Sequence, residues 1–169
     1  MEGNIMNIIA SASSSWGIGN GNSLLFRIRE DMRYFKETTT GNVVVMGRKT
    51  LDSLPDGKPL PDRVNIVLTR SRDFSRDGVT AVHSVEELME ELKKYDSEIF
   101  VIGGGEIYNM LLPYCKRAYI TKINAEREAD TFLPDLDSDS AWQIKEQSET
   151  KKSRTGLEYS FVVYERADN

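Results

Sequence analysis

Two short segments that follow apolar runs give the first indication of chemistry in this chain. The run Ile99–Ile102 predicts a buried strand, Gly103–Gly105 follows it directly, and a helical pattern begins at Glu106. Glycines between a strand and a helix let the backbone approach a ligand closely, and the first N–H groups of the helix are free to donate. This junction predicts a site for a phosphate-bearing cofactor.

A second junction of the same kind lies upstream. The β-branched run Val43–Met46 is followed by Gly47, Arg48, Lys49 and Thr50. Two cations at the start of a helix oppose its dipole, and a bound anion would remove that conflict. The guanidinium of Arg48 is a planar fork that suits a phosphate monoester. The alternative is that Arg48 and Lys49 are two solvated surface charges.

An acidic residue lies at the edge of an apolar helix face. Three residues share that face at helical spacing: Ile28, Met32 and Phe35. Asp31 flanks them, whereas Glu30 falls with Tyr34 on the side predicted to be solvated. A carboxylate in an apolar setting is costly unless something pairs with it. Asp31 is therefore either a structural acid bound to backbone N–H groups or a site acid whose partner is a ligand. The two phosphate junctions favour the second interpretation.

Composition excludes several classes of protein. The length of 169 residues suggests one domain, and a net charge of −5 argues against a general nucleic-acid binder. With Cys115 as the single cysteine there is no intramolecular disulfide, as in reducing compartments. With His83 as the single histidine, no zinc site can be built from several His and Cys ligands. His83 precedes the capping-box pattern Ser84–Glu87 and is interpreted as a helix-entry residue.

We expect a cytoplasmic protein, because neither a signal peptide nor a run long enough to span a membrane is visible. The segment Ser11–Asn22 is rich in Ser, Gly and Asn, and its length favours a binding loop or lid, with Trp16 and Ile18 as apolar anchors.

Alternating apolar runs and helical patterns predict an α/β fold. The predicted strands are Ile5–Ala10, Val43–Met46, Arg63–Leu68, Val79–Val82, Ile99–Ile102, Arg117–Ile123, Trp142–Thr150 and Leu157–Glu165. The predicted helices are Arg29–Thr38, Lys49–Leu54, Val85–Lys94 and Glu106–Leu112. This order predicts a single domain with a central, mostly parallel twisted sheet, an antiparallel C-terminal edge hairpin and about four flanking helices.

Six segments together resemble the dihydrofolate reductase family, in the order and at the spacing of that family. They are Ile18–Asn22, Asp31–Lys36, Val45–Thr50, Pro59–Arg63, Ile102–Tyr108 and Asp130–Pro134. The resemblance covers nearly the whole chain. It implies reduction of 7,8-dihydrofolate to 5,6,7,8-tetrahydrofolate with NADPH, by a monomer that antifolates inhibit. It also implies one domain over residues 1–169, with a mobile lid at 13–28 and a cofactor-binding part at about 42–112. Asp rather than Glu at position 31, with the short length, suggests a bacterial type.

The resemblance also implies the site residues. For catalysis these are Asp31, Thr121, Tyr108 and Leu24. For the substrate they are Ile9, Ser11, Asp31, Met32, Phe35, Leu54, Arg63, Ile102 and Thr121. For the cofactor they are Ser11, Ile18, Gly19, Asn22, Gly47, Arg48, Lys49, Thr50, Thr69, Arg70, Ile102, Gly103, Gly104, Gly105, Glu106, Ile107 and Tyr108. No metal is implied.

Individual roles follow from the same resemblance. Asp31 would bind the pterin and support protonation of its ring nitrogen, assisted by Thr121. Arg63 would pair with the glutamate α-carboxylate of folate. Arg48, with Thr69 and Arg70, would bind the adenosine 2′-phosphate. The family also carries a cis peptide at the position of Gly103 and Gly104.

The chain departs from the family pattern at two places. Leu24-Leu25-Phe26 stands where the family usually has Leu-Pro-Trp, so an indole donor beside the acid is lost and we expect a looser lid. Glu106 stands where a cation often helps to bind phosphate. Two alternatives stay open: a related pterin or flavin-precursor reductase of the same fold, and a module that sequesters NADPH or folate without turnover.

Overall fold

The protein is built on a nine-stranded sheet, described by a computed structural model for residues 4–21 and 23–167. The strands are β1 (Met6–Ala12), β2 (Gly17–Asn20), β3 (Ser23–Leu24), β4 (Val43–Gly47), β5 (Val64–Leu68), β6 (Val79–Val82), β7 (Ile99–Gly103), β8 (Arg117–Ile123), β9 (Thr131–Phe132), β10 (Trp142–Gln147), β11 (Lys151–Lys152) and β12 (Glu158–Arg166). The helices are α1 (Arg29–Thr39), α2 (Arg48–Ser53), α3 (Val85–Leu92) and α4 (Gly105–Leu111), with 3₁₀ turns at Pro55–Gly57 and Leu112–Tyr114.

The topology of the main sheet confirms the predicted fold class. The strand order is β10-β12-β8-β1-β7-β4-β5-β6, and β11 pairs with β12. The pairs from β8 through β6 are parallel, whereas β12 runs antiparallel to β8, β10 and β11. Within the described ranges, no helix is long and apolar enough to cross a membrane.

The central strands form because their sequences are continuously apolar. All five residues of β4 are buried, and β7 is buried except for the half-buried Ile102. Buried parallel strands read as unbroken β-branched runs, since both faces of such a sheet are covered. The carboxyl ends of β1, β4, β5 and β7 meet at one edge of the sheet. That edge therefore brings Ser11, Gly47, Thr69 and Gly103 into one region, where ligands bind in open α/β sheets.

Helix α3 begins at a capping box. The Ser84 hydroxyl accepts a hydrogen bond from the Glu87 N–H at 3.0 Å, and the Glu87 carboxylate accepts one from the His83 N–H at 2.6 Å. These bonds satisfy N–H groups that the helix itself leaves free. The helix-entry interpretation of His83 is confirmed.

The segment Ser11–Asn22, predicted as a binding loop or lid, contains regular structure that the sequence analysis did not predict. Strand β2 lies inside this segment and pairs antiparallel with β3 and with β9. The three strands form a second sheet. Trp16 and Ile18 are buried, which confirms their interpretation as anchors. Asn22, a predicted cofactor residue, lies outside the described residues.

Candidate active site

The predicted acid lies on the first turn of α1 and faces β8. The hydroxyl of Thr121, itself buried, donates a hydrogen bond of 2.6 Å to the Asp31 carboxylate. Burial raises the pKa of Asp31, and the hydrogen bond from Thr121 opposes that rise in part. Across residues 4–21 and 23–167, no backbone N–H group and no Lys, Arg or His side chain is bonded to this carboxylate. The interpretation as an acid whose partner is a ligand is therefore the one that fits the geometry.

Several of the predicted substrate residues share one apolar cluster. Ile9 is buried, and the half-buried Phe35, Leu54 and Ile102 pack with it in one cluster. The Tyr108 hydroxyl donates to the Ile9 carbonyl at 2.8 Å, and burial raises the pKa of Tyr108. Ser11 pairs with Thr121 in the register of β1 and β8. These residues together make an apolar region with one acid.

Two of the predicted site residues are exposed. Met32 of α1, which the helix pattern predicted on the apolar face, is 54% exposed, and Leu24 of β3 is 56% exposed, so neither is a core residue.

The prediction that Tyr34 lies on a solvated face is wrong. Its ring stacks on Phe161 of β12, with centroids 4.1 Å apart and planes 19° from parallel. Burial, the largest cause, raises the pKa of Tyr34 to about 12, and the nearby Tyr119, Asp31 and Glu146 add to the rise. Helix α1 is therefore held on the C-terminal hairpin as well as on the core.

Arg63 lies beside the C-terminal end of α1. Its Nε donates to the Pro61 carbonyl at 2.8 Å, and one terminal nitrogen donates to the Thr39 hydroxyl at 3.1 Å. Partial burial lowers its pKa, against an opposing effect of Asp62. Two bonds fix the plane of the guanidinium while one terminal nitrogen has no acceptor in the described part of the chain.

The glycine junction after β7 has structural requirements of its own. The peptide between Gly103 and Gly104 is cis, as the resemblance implies, and Gly103 has φ of 130°, which side chains rarely adopt. A Cβ on Gly105 would lie 2.3 Å from the Thr131 Cγ2. Close packing therefore accounts for Gly105 without any ligand.

The predicted phosphate residues do not all gather in the expected way. Arg48 and Lys49 are exposed at the start of α2, and Thr69 is half-buried just after β5. Arg70 instead lies 3.6 Å from the Glu106 carboxylate, so two residues predicted to face the cofactor contact each other. The remaining predicted cofactor residues lie on the second small sheet or near the two glycine junctions: Ile18, Gly19, Gly47, Thr50, Gly104 and Ile107.

Comparison with known proteins identifies the family. The sequence model of the family described as dihydrofolate reductase matches residues 5–166. The chain belongs to the dihydrofolate reductase family. It is 37% identical over 161 residues to the dihydrofolate reductase of Staphylococcus haemolyticus, covering 95% of each chain. It is 39% identical over 167 residues to that of Mycobacterium tuberculosis, covering 96% of this chain and 99% of the other.

A solved structure supports the same assignment at the level of the fold. The dihydrofolate reductase from Enterococcus faecalis, complexed with NADP(H) and RAB-propyl, has a TM-score of 0.88 and 31% identity, covering 97% of both chains. The chain therefore shares the α/β fold of that structure along nearly its whole length.

The loop between β8 and β9 contacts the predicted lid. The Gly21 N–H donates to Asp130 at 2.9 Å, and the Ser15 hydroxyl donates to Glu126 at 2.7 Å. Sequence reasoning missed Arg127, which donates to the Leu25 carbonyl and lies 4.5 Å from the ring centroid of Phe26. Phe26 is thus buried under a guanidinium. The looser lid expected from the missing proline stays a prediction.

We expect Asp31→Asn to increase the free energy of unfolding at pH 7. A carboxyl whose pKa is raised by folding favours the folded state while protonated and loses that contribution as the pH rises through its folded pKa. The ionised side chain of wild-type Asp31 is therefore unfavourable at pH 7, and an amide is not. Urea unfolding at several pH values measures the difference, which should shrink below the ordinary carboxyl pKa of about 3.9. Glu30→Gln is the matched control for loss of one charge, and equal wild-type and Asp31→Asn curves at pH 7 would contradict the prediction.

Proposed function

We propose that this chain reduces 7,8-dihydrofolate to 5,6,7,8-tetrahydrofolate with NADPH, as a cytoplasmic monomer that antifolates inhibit. The observation that carries the proposal is the half-buried Asp31 carboxylate, which is bonded to Thr121 and to no cation in the described residues. A planar array of N–H donors on a pterin supplies the partner that the protein does not.

Asp31 and Thr121 orient the substrate and hold a proton. The two carboxylate oxygens of Asp31 accept hydrogen bonds from a pterin ring N–H and its 2-amino group, and Thr121 fixes the carboxylate plane. The raised pKa of Asp31 favours its holding a proton near the ring nitrogen that must be protonated. When bound, NADPH supplies the hydride.

The surrounding residues bind the rest of the substrate. Ile9, Phe35, Leu54 and Ile102 belong to one apolar cluster, which suits the pterin and benzoyl rings. The exposed Met32 and Leu24 contact the substrate at the mouth of the site. Arg63 pairs with the α-carboxylate of the glutamate through the terminal nitrogen that its protein contacts leave free.

The residues of the two glycine junctions fit a dinucleotide with a 2′-phosphate. Arg48 is exposed and presents a planar fork, and Thr69 follows the neighbouring strand, since Gly47 pairs with Leu68 in the register of β4 and β5. Residues of about 42–112 form this cofactor-binding part, and the segment 13–28 is the lid that excludes water. Backbone groups of Ser11 and Ile18 would hold the nicotinamide carboxamide, and Tyr108 would contact the nicotinamide.

The decisive assay follows NADPH oxidation with dihydrofolate present. We expect Asp31→Asn to lower kcat about 10²- to 10⁴-fold near neutral pH, because proton support is lost, with partial rescue on acidification. Glu30→Gln, at the adjacent acid, should keep the wild-type pH profile. Wild-type rates for Asp31→Asn at every pH would contradict the proton role, and binding without NADPH oxidation by the wild type would favour a sequestering module.

We expect Arg63→Ala to raise KM for dihydrofolate about tenfold or more, because a charged hydrogen bond to the glutamate is lost. The effect should be absent with a pterin that lacks glutamate. Arg33→Ala, an exposed cation of α1, is the control for charge alone. An unchanged KM would favour the related pterin or flavin-precursor reductase.

We expect Arg48→Ala to narrow the preference for NADPH over NADH by about 1.5–3 kcal/mol, since a charged partner of the 2′-phosphate is lost. Comparison of kcat/KM for the two cofactors measures this change. If the ratio of the two values stays the same, Arg70 or another group carries the preference.

A further inference from the structure

The guanidinium of Arg48 is supported on two sides by residues that the family pattern does not single out. Its Cζ lies 5.2 Å from the ring centroid of Phe74, and its Nε lies 3.9 Å from the Asp52 carboxylate. Phe74 is buried, at 8% exposure, and belongs to the same apolar cluster as Leu51 of α2. The ring is therefore fixed by the core and offers a rigid surface to Arg48.

A second arginine completes this arrangement. The Cζ of Arg76 lies 5.5 Å from the Phe74 centroid, and its two terminal nitrogens donate to the Asp52 carboxylate at 3.0 Å and to the Gly57 carbonyl at 2.8 Å. We call Arg48, Asp52, Phe74 and Arg76 the Phe74 cluster. In this cluster the Asp52 carboxylate and the Phe74 ring each contact the two guanidiniums. The hydrogen bond from Arg76 to Gly57 connects the cluster to the turn after α2.

This support leaves one edge of Arg48 available. Its contacts use Nε and the guanidinium face, and the two terminal nitrogens have no acceptor among residues 4–21 and 23–167. Two terminal N–H groups on one edge are the fork that binds phosphate oxygens. A long side chain that is already ordered loses less rotamer freedom on binding, so the support increases affinity without touching the ligand.

We propose that Phe74 is a positioning residue that sets the preference for NADPH over NADH, by holding the Arg48 fork toward the 2′-phosphate. The inference rests on the proposed role of Arg48 and deepens it. The competing explanation is that Phe74 only fills the core. In that case its replacement would lower the free energy of unfolding and would weaken the binding of NADPH and NADH equally.

The test compares Phe74→Leu and Phe74→Met, which keep apolar volume and remove the aromatic face, with Phe74→Tyr, which retains that face. Calorimetry measures Kd for NADPH and NADH, and for adenosine 2′,5′-bisphosphate and adenosine 5′-monophosphate as fragments. We expect Phe74→Leu and Phe74→Met to weaken the binding of NADPH and of the bisphosphate about three- to fivefold. This is the size of a partly exposed cation–π contact. The Kd values for NADH and the monophosphate, and kcat at saturating NADPH, should not change in these two variants. Phe74→Tyr should keep the wild-type Kd values for all four ligands.

Because Phe74 is buried, a second variant spares the core. Arg76→Lys keeps the charge but lacks the guanidinium fork that joins Gly57 to Asp52. It should therefore weaken the binding of NADPH and leave the binding of NADH unchanged. Arg72→Ala removes an exposed cation of the same loop and measures the effect of charge alone.

A double-mutant cycle separates this inference from the proposed function. In the Arg48→Ala background, Phe74→Leu should no longer affect NADPH binding, since the ring acts through Arg48. An equal effect in both backgrounds, or equal weakening of NADPH and NADH, overturns the inference alone. If Arg48→Ala itself leaves both Kd values unchanged, the 2′-phosphate role of Arg48 fails and the inference fails with it.

Discussion

The hydrogen bond between Thr121 and the half-buried carboxylate of Asp31 is the contact on which the site depends. Burial makes the ionised form of Asp31 costly, and a single hydroxyl offsets only part of that cost. The surrounding structure must hold the acid there regardless. The stacking of Tyr34 on Phe161 holds α1 on the C-terminal hairpin, and the buried Ile28 holds the chain at the N-cap of α1.

The position of the site follows from the topology of the sheet. Parallel strands end at the same edge, and the end of β7 carries glycines that the protein itself requires. Gly103 has a backbone conformation that side chains rarely adopt, and Gly105 leaves room for Thr131 of the second sheet. The motif that first indicated a cofactor is thus also the place where the two sheets meet. A substitution there would disturb packing as well as binding, so loss of activity at Gly105 would not by itself identify a ligand contact.

Short-range sequence patterns correctly predicted the strands and helices that depend mainly on neighbouring residues. Continuous apolar runs gave the parallel strands within a residue or two, and helical spacing turned Asp31 rather than Glu30 inward. The failures share one physical cause, which is pairing over long sequence separations. Tyr34 is covered by Phe161 and β2 is paired by β9, each more than a hundred residues away. Likewise, nothing in the sequence analysis indicated that Asp52 and Phe74 contact Arg48.

The two arginines near the proposed 2′-phosphate site differ in how the fold treats them. Arg70 is almost fully exposed and makes one ion pair, with the equally accessible Glu106, and such pairs contribute little in water. Its charge therefore acts as a general attraction that salt screens. Arg48 lies against a buried ring and a carboxylate, so its position is defined before any ligand arrives. Discrimination between cofactors that differ by one phosphate requires a defined donor geometry rather than charge alone, and only Arg48 of the two has it.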